Sequence, residues 1–364
     1  MIDERLSFRT LRKEVIEPGI CAACYGCVSF CTANDLNVLT IEKDKPAYCD
    51  EQNCLEDGIC YLICPRTPDL DKALKTKFRY EDPIGFYLSV RSLRTTNKEI
   101  ADVCCDGGAV TGLLEFLLDT KRIDGALLSK KETVWNNEPM IAMDFGDLLK
   151  CAGSSLAQSK SVRDLGHLTT YASVFRALKK SSELDVTKLA VVGTPCQIST
   201  IRKMQLLHIV PSHIATFTIG LFCFENFLMN EKGAKFLTRK IGASLDQIEK
   251  INLKEDFSVK LKNGKVEHID LDALGPIVRP SCIACTDFSN YSADISVGGV
   301  GSPEGYTTVL ARSQAAQRLI NLAIRQGYLE EAQSEGALKK IWAMAERKKL
   351  RGEQVFAKKK RQIS

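Results

Sequence analysis

The chain has 364 residues, enough for two or three domains with a sizeable core, and its 45% hydrophobic and 26% charged content is that of an ordinary soluble globular protein. Its net charge is +5, but Glu346 to Arg361 holds eight Lys/Arg and two Glu, so the rest is near −1, which with no aromatic-rich RNA motif excludes a nucleic-acid binder. The longest apolar run, Ile214 to Phe224, is eleven residues and suits a buried strand, not a direct membrane span.

Met1-Ile-Asp-Glu-Arg-Leu is too charged to open a secretory signal. Fifteen cysteines therefore point to a reducing cytoplasm and metal ligation. Eight of them fall within 44 residues, Cys21 to Cys64. Cys21, Cys24, Cys27 and Cys31 form C-x2-C-x2-C-x3-C, the spacing of a bacterial-type iron–sulfur ferredoxin, and Cys64-Pro65 reproduces its closing C-P. Cys49, Cys54 and Cys60 complete the number that two [4Fe–4S] clusters need. The expected ligand sets are Cys21, Cys24, Cys27 and Cys64 for one, and Cys31, Cys49, Cys54 and Cys60 for the other. Zinc would favour separated C-x2-C pairs, and disulfides would need an oxidising compartment.

Leu70 to Tyr80 reads as a helix, and Glu81-Asp-Pro83-Ile-Gly85 as a turn and domain boundary. Tyr87 to Leu93 reads as a strand. Gly107-Gly108 then enters an apolar helix, a start that lets a phosphate approach backbone N–H groups, although Gly-Gly before a helix is often just a turn. Ala126 to Ser129 reads as a strand, and Cys151 to Lys160 as a small polar loop of the kind that lines a cofactor. Cys104, Cys105 and Cys151 are taken as structural.

Lys188 to Ile201 reads as strand, loop and helix, with Cys196 at the carboxyl end of the strand, where ligands of such sheets sit. Ile214 to Leu221 is a second buried strand, ending near Cys223. Asp256 to Asp270 alternates around Asn263-Gly264, a hairpin signal. Cys282-Ile-Ala-Cys285 precedes a strand and the glycine-rich Gly298-Gly299-Val-Gly301. Cys196, Cys223, Cys282 and Cys285 are four thiols, the number of one further cluster, but Cys196 and Cys223 read equally well as buried structural cysteines. Two helices, about Gln314 to Arg325 and Glu335 to Lys349, precede a frayed basic tail, which reads as a solvated helix end, a docking arm for an acidic partner or a contact with an anionic surface.

There is no G-x-G-x-x-G opening a strand–helix unit, no phosphate-binding G-x4-G-K-[ST] and no H-E-x-x-H. Iron–sulfur clusters carry single electrons while metabolic reductants deliver hydrides, so a ferredoxin module joined to an α/β domain calls for a flavin between them. The residues alone carry the reading to flavin-linked iron–sulfur electron transfer.

Gly107-Gly108-x-Val110-Thr111, the Gly153-to-Lys160 loop, Gly193-Thr-Pro-Cys196-Gln, Gly220-Leu-Phe-Cys223 and Cys282-x-x-Cys285-x-Asp287-Phe…Ala293-Asp294-Ile-Ser-Val-Gly298 resemble the beta-subunit family of coenzyme F420 hydrogenases and dehydrogenases, over about residues 84 to 312. The resemblance implies FAD and a [4Fe–4S] cluster, with a hydride passing between the 8-hydroxy-5-deazaflavin coenzyme F420 and flavin N5, and no catalytic side chain. It makes Cys196, Cys223, Cys282 and Cys285 the ligands of a third [4Fe–4S] cluster. Gly107, Gly108, Val110 and Thr111 become FAD contacts near the phosphates, and Ser154, Ser155, Gln158, Ser159, Lys160, Thr194 and Gln197 line the cofactor. Asp106 departs from the family's usual Ser, and the loop at Cys151 to Ser155 lacks its usual Lys-Tyr.

The implied fold is α/β: a bacterial-type dicluster ferredoxin-like module (1–80), then an α/β flavin-binding domain with a mostly parallel or mixed sheet (81–312), then C-terminal helices and a basic tail (313–364). The implied activity is F420H2 oxidation, or its reverse, in archaeal, methanogenesis-type metabolism. The chain would serve as the electron-input subunit of an F420H2 dehydrogenase on a complex I-like membrane complex. The alternative is a beta subunit of F420-dependent formate dehydrogenase or of another F420-linked oxidoreductase, with a heterodisulfide reductase as a further type of partner; similar flavin domains are also fused to sulfite reductase. A basic groove for the acidic coenzyme is expected near Arg91, Arg94, Lys160 and Arg202. Two rival readings are a flavin-degenerate electron relay, and the same fold acting on another acceptor such as a tetrapyrrole.

Overall fold

The computed structural model describes residues 6–133, 136–154, 159–168, 186–228, 230–333 and 336–363. Its centre is an eight-stranded mixed sheet of order β13-β3-β12-β11-β7-β6-β4-β5. The strands are β3 (Ser89–Thr95), β4 (Gly125–Thr133), β5 (Asn136–Ala142), β6 (Leu189–Gly193), β7 (Ala215–Leu221), β11 (Ile295–Gly298), β12 (Thr307–Ala311) and β13 (Leu329–Ala332). The middle four, β4, β6, β7 and β11, run parallel, and the flanking pairs are antiparallel.

Successive side chains of a strand point to opposite faces, and here both faces are covered. Ala126, Leu128 and Ala190 join a core with Leu113 and Phe116 of helix α3 (Ala109–Asp119) and Ile320 of α6 (Gln314–Arg325). Leu127, Leu189 and Val191 face the other way, against Val162 and Leu165 of α4 (Ser161–Leu168) and Ile198 and Ile201 of α5 (Pro195–Leu206). This two-sided burial is why residues 188–193 read as an unbroken apolar run.

The N-terminal segment packs its own core of Phe8, Leu11, Val28, Leu39 and Tyr61 around helix α1 (Gly26–Ala33) and the hairpin β1 (Leu39–Glu42) and β2 (Lys45–Tyr48). It docks closely on the sheet domain: a Cβ on Gly166 of α4 would lie 2.3 Å from the Ser29 carbonyl oxygen of α1. Helix α2 (Asp71–Lys77) occupies the region expected to be helical. A second antiparallel sheet, β10-β9-β8, comprises β8 (Ile248–Leu253), β9 (Phe257–Leu261) and β10 (Val266–Ile269), with the expected hairpin at Asn263-Gly264.

The C-terminal region differs from expectation in two ways. Residues 329–332 form β13, which pairs with β3 at the sheet edge, so this segment is part of the sheet and not a helical appendage. The last helix, α7, runs Ala337–Ile363, well beyond Lys349. Its first half is anchored by Ile341 and Ala345, both fully buried. No helix among the described residues is long and apolar enough to cross a membrane.

Candidate functional site

The cysteine run Cys21 to Cys31 turns tightly because Ala23 and Tyr25 take left-handed backbone conformations, with φ of 48° and 62°. Non-glycine residues accept that strain where something is gained by aiming side chains. Cys21, Cys24, Cys27, Cys60 and Cys64 line one pocket together with Leu11, Val15, Pro46 and Thr200. The four thiols expected for the first cluster thus share one enclosure, and Cys60 reaches it as well. Backbone N–H groups already serve two of these sulfurs: Ala23 N donates to Cys21 Sγ at 3.4 Å and Arg66 N to Cys64 Sγ at 3.4 Å. Such donors favour the thiolate, the form that ligates iron.

Cys49 and Cys54 lie within electrostatic reach of Cys31, and Cys54 of Cys60. Val38 N donates to Cys31 Sγ at 3.2 Å. Cys49 is exposed, so this second set lies at the protein surface. Zinc would gather four sulfurs about one point at ~2.3 Å. Among the described residues, no group of three or more His, Cys, Asp or Glu side chains is gathered to hold a single ion.

Cys196, Cys223, Cys282 and Cys285 are brought together from three separate loops. Cys196 opens α5 at the carboxyl end of β6, Cys223 follows β7, and Cys282 lies in the short helical turn Pro280–Ile283. Cys223 is within electrostatic reach of the other three, and Cys196 of Cys24 in the first set. Burial raises the thiols of Cys196, to about 11, and of Cys223. In Cys285 burial also opposes ionisation, but the Lys348 and Arg66 charges carry its pKa below the ordinary value.

The expected flavin residues lie at the same carboxyl end of the sheet. Gly107 has no room for a side chain: a Cβ would lie 2.5 Å from Leu93 O and 2.8 Å from Thr307 N. Gly108, with φ +66°, caps the start of α3, where Val110 is half-buried and Thr111 buried. Ser159 Oγ bonds Ser129 Oγ and Ser161 Oγ. Gln197 is fully buried and committed to structure: its Oε1 accepts from Thr194 N at 3.0 Å and its Nε2 donates to Ser159 O at 3.0 Å. Ser154 is exposed and forms a hydrogen bond with Cys105. Ser155 and Gln158 lie outside the described residues. From the Gly107 edge at β3 to Thr194 after β6 is four strand spacings, roughly 19 Å, a span that suits an extended dinucleotide.

The departure at Asp106 has a structural counterpart. Its Oδ1 accepts from Asn252 Nδ2 at 2.9 Å and pairs with Lys254 Nζ at 3.1 Å, so the carboxylate beside the α3 start is neutralised by a cation reached from β8. The expected basic groove is not formed as drawn. Arg202 is buried and held by Asp294 at 2.9 Å and Ser292 O at 2.8 Å, at the amino end of β11, away from the site. Arg91 and Arg94 pair with Glu331 and Glu330 of β13, and Lys160 pairs with Asp44.

Several functional-looking residues had no sequence signal. Asn290, fully buried, donates to Gly193 O at 2.9 Å and supports the turn before Cys196. Lys203, also fully buried, donates to Cys64 O and Thr67 O. Arg66 and Lys348 border the third cysteine set. Single Lys, Arg and Asn residues in polar stretches carry no pattern that marks them as buried.

The models of the coenzyme F420 hydrogenase/dehydrogenase beta subunit match this chain, the N-terminal model over residues 91–163 and the C-terminal model over 186–336. The coenzyme F420 hydrogenase subunit beta of Methanosarcina barkeri is 33% identical over 69% of this chain and 84% of its own length. The coenzyme F420-dependent sulfite reductase of Methanocaldococcus jannaschii is 29% identical over 90% of this chain, which spans half of that reductase. A chain of the F420-reducing [NiFe] hydrogenase complex from Methanosarcina barkeri superimposes with a TM-score of 0.67 at 28% identity, over 76% of this chain and 94% of that one.

Proposed function

This chain belongs to the coenzyme F420 hydrogenase/dehydrogenase beta-subunit family, and from that membership we propose that it oxidises F420H2, or runs the reverse, and relays the electrons to a partner redox subunit. Its cofactors on this reading are FAD and three [4Fe–4S] clusters. When bound, FAD takes up a hydride from the reduced coenzyme and gives electrons singly to clusters that carry one at a time.

The chain's own residues divide the work by position. Gly108 caps the start of α3, whose first-turn backbone N–H groups favour a pyrophosphate, while Gly107 N donates to Thr307 Oγ1 at 3.1 Å and holds that turn in place. Ser159, Lys160 and Thr194 border the other end of the flavin site. Cys196, Cys223, Cys282 and Cys285 hold the cluster nearest to it. Cys21, Cys24, Cys27 and Cys64 hold the next, and Cys31, Cys49, Cys54 and Cys60 the outermost, at the exposed Cys49.

The observation that carries this reading is the continuity of the three cysteine sets. One helix, α5, supplies Cys196 to the third set and lays Thr200 Oγ1 3.5 Å from Cys24 Sγ of the first. Arg279 Nη1, just before Cys282, donates to Ala22 O at 3.4 Å, tying the same two loops together. A mononuclear or purely structural role for these cysteines would not require the sets to adjoin.

The partner proposed is the remainder of an F420H2 dehydrogenase on the cytoplasmic face of a complex I-like membrane complex. A formate dehydrogenase, heterodisulfide reductase or sulfite reductase would meet the same exposed set. A second reading, a flavin-degenerate relay, is favoured by Asp106 beside the α3 start. Anaerobic mixing of the purified protein with F420H2 decides between them. Rapid bleaching of the visible flavin band is expected. A bound flavin that stays oxidised would remove F420H2 as donor, and protein without flavin but with about twelve irons per chain, the count of three cubanes, would leave the relay.

A further inference from the structure

The third cysteine set is bordered by three cations that ligation does not require. Lys348 of α7 is 1% exposed, and its Nζ donates to Cys223 O. Its ammonium is also within electrostatic reach of Cys282, Cys285 and Asp287. Gly352, one turn on, brings the helix so close that a Cβ there would lie 2.9 Å from Cys285 O. Arg66 comes from the N-terminal module, two residues after Cys64. Its Nη2 donates to Ser281 O at 2.8 Å, and its charge reaches Cys196, Cys282 and Cys285. The same guanidinium acts on Cys21 and Cys24, so Arg66 stands between the third set and the first. Arg351 completes the border, with Nη1 on Glu225 at 2.8 Å and Nη2 near Cys282 O at 3.4 Å.

Two features of this border are unresolved by protein groups. The buried Nε atoms of Arg66 and Arg351 find no hydrogen-bond partner among the described residues, and a buried donor left unpaired is costly. The charges also do not balance: of the neighbouring acids, Glu225 is taken by Arg351, leaving Asp287 facing Lys348 and also Arg312. An acceptor-rich anion among these cysteines would satisfy both, and a cubane with four thiolates is one, more negative still after reduction.

Resting on the reading that these cysteines hold a cluster, we propose that Arg66 and Lys348 are positioning residues that set its reduction potential. Permanent positive charge on both sides and a guanidinium donor favour the reduced cluster over the oxidised one, since net charge and hydrogen bonds at sulfur tune such potentials. The cluster at Cys196, Cys223, Cys282 and Cys285 is thereby made easier to reduce, which suits it to draw electrons off the flavin. Arg66 couples that station to the docking of the N-terminal module, because the residue that tunes one cluster follows directly on a ligand of the next.

The test is an anaerobic redox titration of the full chain, followed by electron paramagnetic resonance with iron content measured alongside. Lys348→Gln should keep about twelve irons and move one cluster to lower potential, leaving two unmoved; Arg66→Gln should keep the same iron and lower that cluster together with the one at Cys21 and Cys24, which its guanidinium also reaches. The expected shift is about tenfold in the reduction equilibrium, about 59 mV for one electron. Arg66→Lys and Lys348→Arg, which keep the charge, should restore most of it. If a Gln variant loses four irons, recovery of both iron and potential by its charge-keeping counterpart supports the proposal, and no recovery overturns it in favour of packing alone. Twelve irons with all three potentials unmoved would overturn the proposal and leave the three-cluster reading intact. A wild-type protein with eight irons would remove the third cluster itself.

Discussion

Gly220 illustrates how one atom's worth of space matters in this site. It sits in β7 where a Cβ would lie 2.3 Å from Asn290 Cγ and 2.5 Å from Asn290 Nδ2. That amide holds Gly193 O at 2.9 Å, so the absent side chain at 220 is what lets Asn290 brace the turn carrying Cys196. Gly220→Ala should destabilise the protein by roughly 2–4 kcal/mol, from overpacking plus a displaced buried hydrogen bond. The denaturant midpoint should fall accordingly, and Asn290→Ala in the same chain should cost much less than its single effect, because the two share one space. An unchanged midpoint in Gly220→Ala would show that Asn290 moves aside freely.

At the scale of an element, α5 is the joint of the molecule. Its capping box of Thr194 and Gln197 starts the helix, its first turn presents Cys196, its middle touches Cys24 through Thr200, and its far end holds Lys203. Lys203 Nζ donates to Cys64 O at 2.8 Å and Thr67 O at 3.0 Å and pairs with Asp71 at 2.8 Å. Losing it would leave those buried carbonyls unpaired, a cost of roughly 2–4 kcal/mol. Lys203→Met is expected to speed amide hydrogen exchange across residues 64–71 by on the order of a hundredfold, with the strands of the central sheet unaffected. Unaltered exchange there would mean that packing alone holds the module.

Over the whole molecule, the C-terminal helix is packed against the third cysteine set. The basic stretch after Glu346 reads in the sequence as a solvated end or a docking arm, but its first turns are committed internally. Lys348 lies against Cys223, Lys349 pairs with Asp82 at 2.8 Å, Arg347 with Asp272, and Arg351 with Glu225. Deleting residues 346–364 would strip the third cysteine set of Lys348 and Arg351. The expected outcome is therefore a drop in iron from about twelve to about eight per chain, with slowed electron flow from F420H2 to a soluble dye. A deletion variant with full iron and undiminished dye reduction, failing only to assemble with a partner, would restore the docking-arm reading.

Local features were legible because they depend on near neighbours. The spacing of Cys21, Cys24 and Cys27 predicted that these thiols share one pocket because tight loops can aim thiols only a few residues apart. The apolar run before Cys196, the Asn263-Gly264 hairpin and α6 follow from periodicity and turn chemistry that operate over ten residues or fewer. The sheet order could not be read this way. β13 joins β3 across more than two hundred residues of chain, and four-residue strands with charged Glu330 and Glu331 look like loop. The third cysteine set was half legible: four thiols near strand ends were visible, but that they meet depends on β6, β7 and the loop before β11 lying side by side. Arg66, Lys203 and Lys348 were invisible. A cation is buried only when folding surrounds it with acceptors, and those acceptors here are carbonyls and sulfurs from distant segments. The sequence by itself determined where thiols stand in the chain and the α/β character, because both depend on near neighbours; only the tertiary structure decided which cysteines adjoin, and which charges surround them.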